Sequence, residues 1–135
     1  MKIVFVDSNV FLRLFTGDDA EQCERAAKLL QSAADGVVQL VTGPPVLFEV
    51  AWTLAGSYHR DREKILLALR SILSHSGLRV TDAGTVRAAL TLAQEKGMSF
   101  PDAYVAALAE SAGATELATF NRKHFEGLID LYPLE

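Results

Sequence analysis

The run Lys2-Ile3-Val4-Phe5-Val6 is apolar after its first residue and rich in β-branched positions, the pattern of a strand buried in a parallel sheet. Ser8 or Asn9 is placed to cap a short helix through about Phe15, and Thr16-Gly17-Asp18 reads as a turn. Asp19 with Gln22 three residues on resembles a capping box. The apolar positions Cys23, Ala26, Ala27, Leu30 and Ala34 keep helical spacing behind it. Asp35-Gly36 breaks the pattern and Val37–Thr42 returns to strand character. Gly43-Pro44-Pro45 then opens a helix that is apolar almost all round, which predicts burial on every side. A helix with Ile65, Leu66, Leu69, Ile72 and Leu73 on one face follows Arg60-Asp61. Leu78–Val80 is a short strand, and a helix runs from Thr81-Asp82 to about Lys96, ended by Gly97. Ser99-Phe100-Pro101 opens the next helix, which Gly113 ends; Glu116–Thr119 is a further strand, and a small last one falls near Asp130–Tyr132. Strands alternating with helices predict a three-layer α/β/α sandwich around a mainly parallel sheet. No linker, repeat or low-complexity tract interrupts residues 1–135, so one domain is expected.

Composition narrows this picture. Half of the residues are hydrophobic and 22% are charged, which excludes a disordered chain. The 13 basic and 17 acidic residues give a formal charge of −4, which argues against gripping nucleic acid by overall charge but leaves room for a local basic patch or a bound cation. The single cysteine, Cys23, has no intramolecular disulfide partner, and no Cys/His spacing suits zinc. Asp7 and Arg13 interrupt the first apolar run, unlike a signal peptide, and Pro44–Tyr58 is too short to span a bilayer. The expectation is a soluble cytoplasmic protein with no membrane partner.

Three carboxylates change the picture most. Asp7 closes the first apolar run, Glu49 is the only charged residue between Pro44 and Tyr58, and Asp102 is the only one between Ser99 and Leu108. A carboxylate desolvated in such company requires a partner, supplied by a distant basic side chain or by a metal ion. In an open parallel sheet, ligands bind beyond the carboxyl ends of the strands. Asp7 ends the first strand, Glu49 lies one turn into the helix after the second, and Thr119 and Asn121 end the late strand. If the first and late strands are neighbours, these residues meet in one crevice, which Asp102 can join. Converging carboxylates repel one another, and a hard dication relieves the conflict; magnesium or manganese suits oxygen ligands better than zinc does. The reaction class this supports is metal-assisted phosphodiester hydrolysis.

The same residues resemble a known family. Val6-Asp7-Ser8-Asn9-Val10, Glu49 in an apolar helix, Phe100-Pro101-Asp102-Ala103 and Ala118-Thr119-Phe120-Asn121 are similar, in order and across nearly the whole chain, to the motifs of the PIN domain as found in VapC toxins of toxin–antitoxin pairs. The resemblance implies a compact α/β/α nuclease, dependent on Mg2+ or Mn2+, that hydrolyses RNA to leave a 5′-phosphate and a 3′-hydroxyl. It implies Asp7, Glu49 and Asp102 as the metal-binding acids, with Ser8 as a polar neighbour that contacts substrate and Thr119 as one that, with Asn121, positions water or a phosphate oxygen. Asn121 stands where many members carry a fourth acid; its amide can orient water but adds no negative charge. The resemblance also implies a small antitoxin partner, whose segment lies in an apolar groove, and a homodimer.

Each residue has a plainer reading beside this one. Asp7 can cap the helix that follows it, and Asp102 can pair reciprocally with Ser99 in a capping box. Thr119 and Asn121 can shape a turn. Phe48, Trp52, Leu54 and Tyr58 can be core residues. Arg122-Lys123-His124 reads either as a solvated loop or as a clamp on RNA phosphates, and Arg13 can reach phosphate too; none of the three histidines has a catalytic assignment. The rival functions are a PIN-like module that binds RNA or protein without cutting, and a stand-alone RNA-processing nuclease. A response-regulator-like phosphoacceptor fold fits poorly, because Asp7 stands alone where that fold carries an acidic pair.

Overall fold

In the computed structural model, which describes residues 1–134, the N-terminal apolar run forms strand β1 (Lys2–Phe5). It is followed by α1 (Ser8–Thr16), α2 (Ala20–Ala34), β2 (Val38–Thr42), α3 (Pro44–Gly56), α4 (Arg62–Ser74) and β3 (Leu78–Val80). These elements make up a first compact unit, Met1–Ala83. The second unit begins at Gly84. It contains α5 (Ala83–Lys96, entering from the last residue of the first unit), α6 (Phe100–Ser111), β4 (Glu116–Leu117), the one-turn helix α7 (Arg122–Phe125) and β5 (Asp130–Leu131).

In the first unit β2 lies between β1 and β3, and both pairings are parallel, with Phe5 opposite Val41 and Thr42 opposite Val80. The central strand carries the most buried residues: Leu40 and Thr42 are both 0% exposed. Thr42 is polar, so its burial requires a hydrogen-bond partner. Its hydroxyl donates to the Val6 carbonyl at 3.0 Å. The Val6 N–H donates to the Val41 carbonyl at 2.8 Å, and the Thr81 N–H to the Thr42 carbonyl at 3.0 Å, so the carboxyl ends of the three strands are tied together. Phe11, Leu47, Val50, Leu66 and Leu69 fill the core around this sheet. Two stretches of backbone come close together just before β3. A Cβ on Gly77 would lie 2.4 Å from the Ala33 carbonyl carbon and oxygen at the end of α2, a contact only glycine permits.

The second unit is built on small residues. Helix α5 buries Val86, Ala89, Leu90 and Ala93, and α6 buries Phe100, Ala103, Tyr104, Ala106 and Ala107. Strands β4 and β5 pair in parallel, with Glu116 opposite Asp130.

Strand β1, expected to be buried, is an edge strand with Ile3 70% and Phe5 62% exposed. Parallel pairing throughout, alternating with helices, is otherwise the expected α/β class, with four further differences. First, the ladders form two sheets, β1-β2-β3 and β4-β5, so the late strand is hydrogen-bonded to β5 and does not ladder with β1. Second, β4 stops at Leu117, two residues early, because the Thr119 hydroxyl accepts the Asn121 N–H at 3.0 Å and turns the backbone away from extension. Third, Arg122–Phe125 is helical rather than loop. Fourth, α3 is not buried all round: Pro45, Glu49, Trp52 and Gly56, spaced along one helical face, are exposed.

Candidate active site

Asp7, Ser8 and Glu49 of the first unit follow the carboxyl ends of β1 and β2. Asp7 follows β1 directly and is the N-cap of α1, with extended backbone (φ −85°, ψ 166°) and Oδ1 accepting the Ser8 N–H at 2.8 Å. The cap is therefore Asp7, one residue before the Ser8 or Asn9 expected. Its carboxylate stays exposed, while Ser8 is 3% exposed and enclosed in the fold. Helix α3 starts two residues after β2, which puts Glu49 in its second turn on the exposed face. The desolvation argument fails for both acids, because an apolar neighbourhood in sequence does not bury a residue at an exposed helix cap, as Asp7 is, or on a helix face left open, as Glu49 is. Solvent, rather than a counter-charge, accommodates them.

Arg13 has partners of its own. Its Nε donates to Gln22 Oε1 at 2.7 Å and its Nη1 to Asp18 Oδ1 and Oδ2 at 3.1 and 3.2 Å. Asp18 also accepts from the Thr16 hydroxyl at 2.9 Å and the Tyr58 hydroxyl at 2.5 Å. The Tyr58 hydrogen bond, then that of Thr16, then the Arg13 charge hold the Asp18 carboxyl below its ordinary value, and the Asp18 charge raises the Arg13 guanidinium. Asp19 caps α2 as expected, accepting the Gln22 N–H at 3.0 Å. The reciprocal half of the box is replaced, since the Gln22 side-chain oxygen serves Arg13. The same arginine, with Asn9, Gln22 and Arg25, lines a groove of about 390 Å3 between α1 and α2.

In the second unit Ser99 caps α6, its hydroxyl accepting the Asp102 N–H at 3.3 Å. The Asp102 carboxylate, 34% exposed, has Oδ2 at 3.1 Å from His124 Nδ1. The partner that a carboxylate among apolar neighbours calls for is thus, for Asp102, a histidine 22 positions along the chain. Sequence spacing carries no signal for it, since the contact is made only when the β4 turn and α7 bring the chain back beside α6. Phe125, 5% exposed, anchors α7. Arg122 and Lys123 in the same turn are exposed, as is Asn121, whose side chain makes no cap hydrogen bond. Thr119 is engaged by the Asn121 backbone.

The structure thus brings Asp102 to His124, Thr119 to Asn121, and Arg13 to Asp18, Gln22 and Tyr58. Asp7 and Glu49 belong to the first unit; Asp102, Thr119, Asn121, Arg122 and Lys123 belong to the second. Among the described residues no three His, Cys, Asp or Glu side chains are grouped to hold an ion. The donor chemistry nevertheless fits a hard dication: Asp7, Glu49 and Asp102 are all carboxylates, and each is at least partly open to solvent.

Helices alternating with parallel strands place the chain in the parallel-sheet α/β class. The chain belongs to the PIN domain family, whose model matches residues 4–128. PIN domains are generally nucleases and generally use divalent metal ions, which makes the chain a nuclease-type hydrolase at that level. No curated protein matches it. No helix among the described residues is long and apolar enough to cross a membrane.

Proposed function

We propose that this chain is a metal-dependent endoribonuclease and the toxin of a toxin–antitoxin pair. The observation that carries the reading is the family match over residues 4–128, taken with the place of the three acids in it: Asp7 capping α1, Glu49 on the open face of α3, Asp102 in the first turn of α6. Asp7, Glu49 and Asp102 would hold Mg2+ or Mn2+. Such an ion supplies neutralising charge for phosphate oxygens and lowers the pKa of water. Arg122 and Lys123, exposed on α7, bind the flanking phosphates of the RNA chain. Arg13, already held by Asp18 and Gln22, stiffens the first turns of the domain and borders the substrate through the α1–α2 groove. Thr119 sets the turn that presents Asn121, and the Asn121 amide orients water. Buried Ser8 fixes the backbone beside Asp7.

The antitoxin reading is supported by surface chemistry. Trp52 is 63% exposed, with the Phe48 ring 6.0 Å away, and Leu67 is 66% exposed. Phe15, Leu54 and Leu67 line a groove of about 330 Å3 that Arg60 and Lys64 border. An amphipathic segment with acidic residues beside its apolar face matches that lining.

The test is purified protein on a mixed RNA panel with Mg2+ or Mn2+. Cleavage that EDTA abolishes, and that Asp7→Asn reduces about 100-fold or more, is the expected result. RNA retention without cleavage would replace the nuclease by a binding module, the reading that Asn121 in place of an acid favours. An adjoining short antitoxin frame, and inhibition by its product, would separate the toxin from a stand-alone processing nuclease.

A further inference from the structure

We infer that His124 is a positioning residue for the Asp102 carboxylate: it fixes one oxygen of that acid and leaves the other to face a divalent cation. The inference rests on the nuclease reading above and adds a residue to it. Three observations in the second unit carry it. Nδ1 of His124 stands 3.1 Å from Asp102 Oδ2, at hydrogen-bond distance. The Asp102 backbone is fixed independently, its N–H donating to the Ser99 hydroxyl at 3.3 Å, so the side-chain torsions are what a second contact has left to determine. The turn that carries the imidazole is itself anchored: the neighbouring Phe125 is 5% exposed, and α7 packs beside α6.

A carboxylate in the first turn of a helix has several rotamers open to it, and an ion selects among them at an entropic cost. A donor on one oxygen removes much of that freedom in advance, and carboxylate ligands are commonly oriented in this way by groups outside the coordination shell. His124 is 55% exposed at its side chain, so burial gives no alternative reason for its conformation. Arg122 and Lys123 face solvent in the same helical turn and are free of this duty, which separates phosphate binding from carboxylate positioning within one tetrapeptide.

The experiment measures Mn2+ affinity of the full chain by calorimetry and the spin-echo nitrogen coupling of bound Mn2+. Wild type is compared with Asp102→Asn, His124→Ala and His124→Asn. The asparagine amide nitrogen can occupy roughly the place of Nδ1. Affinity should fall about 10- to 100-fold in His124→Ala. It should return most of the way in His124→Asn, with no imidazole coupling to the ion in wild type. Unchanged affinity in His124→Ala, while Asp102→Asn loses binding, would overturn the inference alone. Imidazole coupling would also overturn it, by making His124 a ligand. A wild type that binds no Mn2+ would sink the nuclease reading and the inference with it. Thermal melting controls for folding, and if His124→Ala fails to fold, His124→Leu takes its place and must show the same fall in affinity beside a near-wild-type His124→Asn.

Discussion

Asp18 gathers more side chains than any proposed catalytic acid in this molecule. Tyr58, Thr16 and Arg13 all point donors at it, tying the turn after α1 to the end of α3. Its pKa lies below the ordinary Asp value of 3.8, so the ionised form is favoured by folding. The stabilisation is complete above the unfolded value and is lost as pH falls through the lower folded one. Urea midpoints measured between roughly pH 2 and pH 5 should therefore fall with acid in wild type and fall less steeply in Asp18→Asn, which starts lower at neutral pH. Equal slopes would show that Asp18 is ordinary in the folded chain. Asp7 makes the contrast. Among the described residues its carboxylate accepts the adjacent Ser8 N–H, and its cap role explains its type without any ion. Capping and metal binding are compatible, since the cap uses Oδ1 and the carboxylate remains exposed. The sequence suggested both roles for Asp7 but could not show which oxygen does what. His124 carried no signal at all, because its meaning comes from Asp102 across a helix, a strand and a turn.

At the scale of elements, the periodicity located the main elements almost to the residue. The strand at Leu78–Val80 and the starts of the helices at Pro44 and Phe100 fall where proline and capping chemistry place them. What periodicity could not decide was exposure. Helix α3 is apolar on nearly every side, yet Trp52 and Glu49 share an open face, because burial depends on what packs against a helix and not on its composition alone. Two substitutions probe how the first sheet is held. Thr42→Val removes the hydroxyl that donates to the Val6 carbonyl at full burial and should cost about 1–3 kcal/mol, read from chemical denaturation. A cost near zero would mean that another donor serves Val6. Gly77→Ala drives a methyl into the Ala33 backbone, which cannot yield as a side chain does, and should cost about 1–3 kcal/mol or more. Gly113→Ala meets no atom within 4 Å but sits at φ +80°, so its smaller penalty would come from the backbone alone.

At the scale of the whole molecule, the proposed RNA binding by a chain of formal charge −4 would rest on a few local contacts. If Arg122 and Lys123 supply two of them, log affinity against log salt should be shallow, and Arg122→Ala with Lys123→Ala should reduce its slope by about 1.4. An unchanged slope would move the phosphate contacts elsewhere. The proposed homodimer is read by light scattering across concentration, and a monomer throughout would remove it. The sequence by itself determined the class of fold, the order of the main elements and the family, since strand and helix periods, caps and turns are local and most of the PIN motifs are strings of adjacent residues. Only the tertiary structure decided that β4 ladders with β5, that Glu49 lies open to water, that Arg13 is committed to Asp18 and that Asp102 meets His124. Those outcomes depend on which surfaces pack together across tens of residues, a competition of burial and hydrogen bonding that no short window of sequence contains.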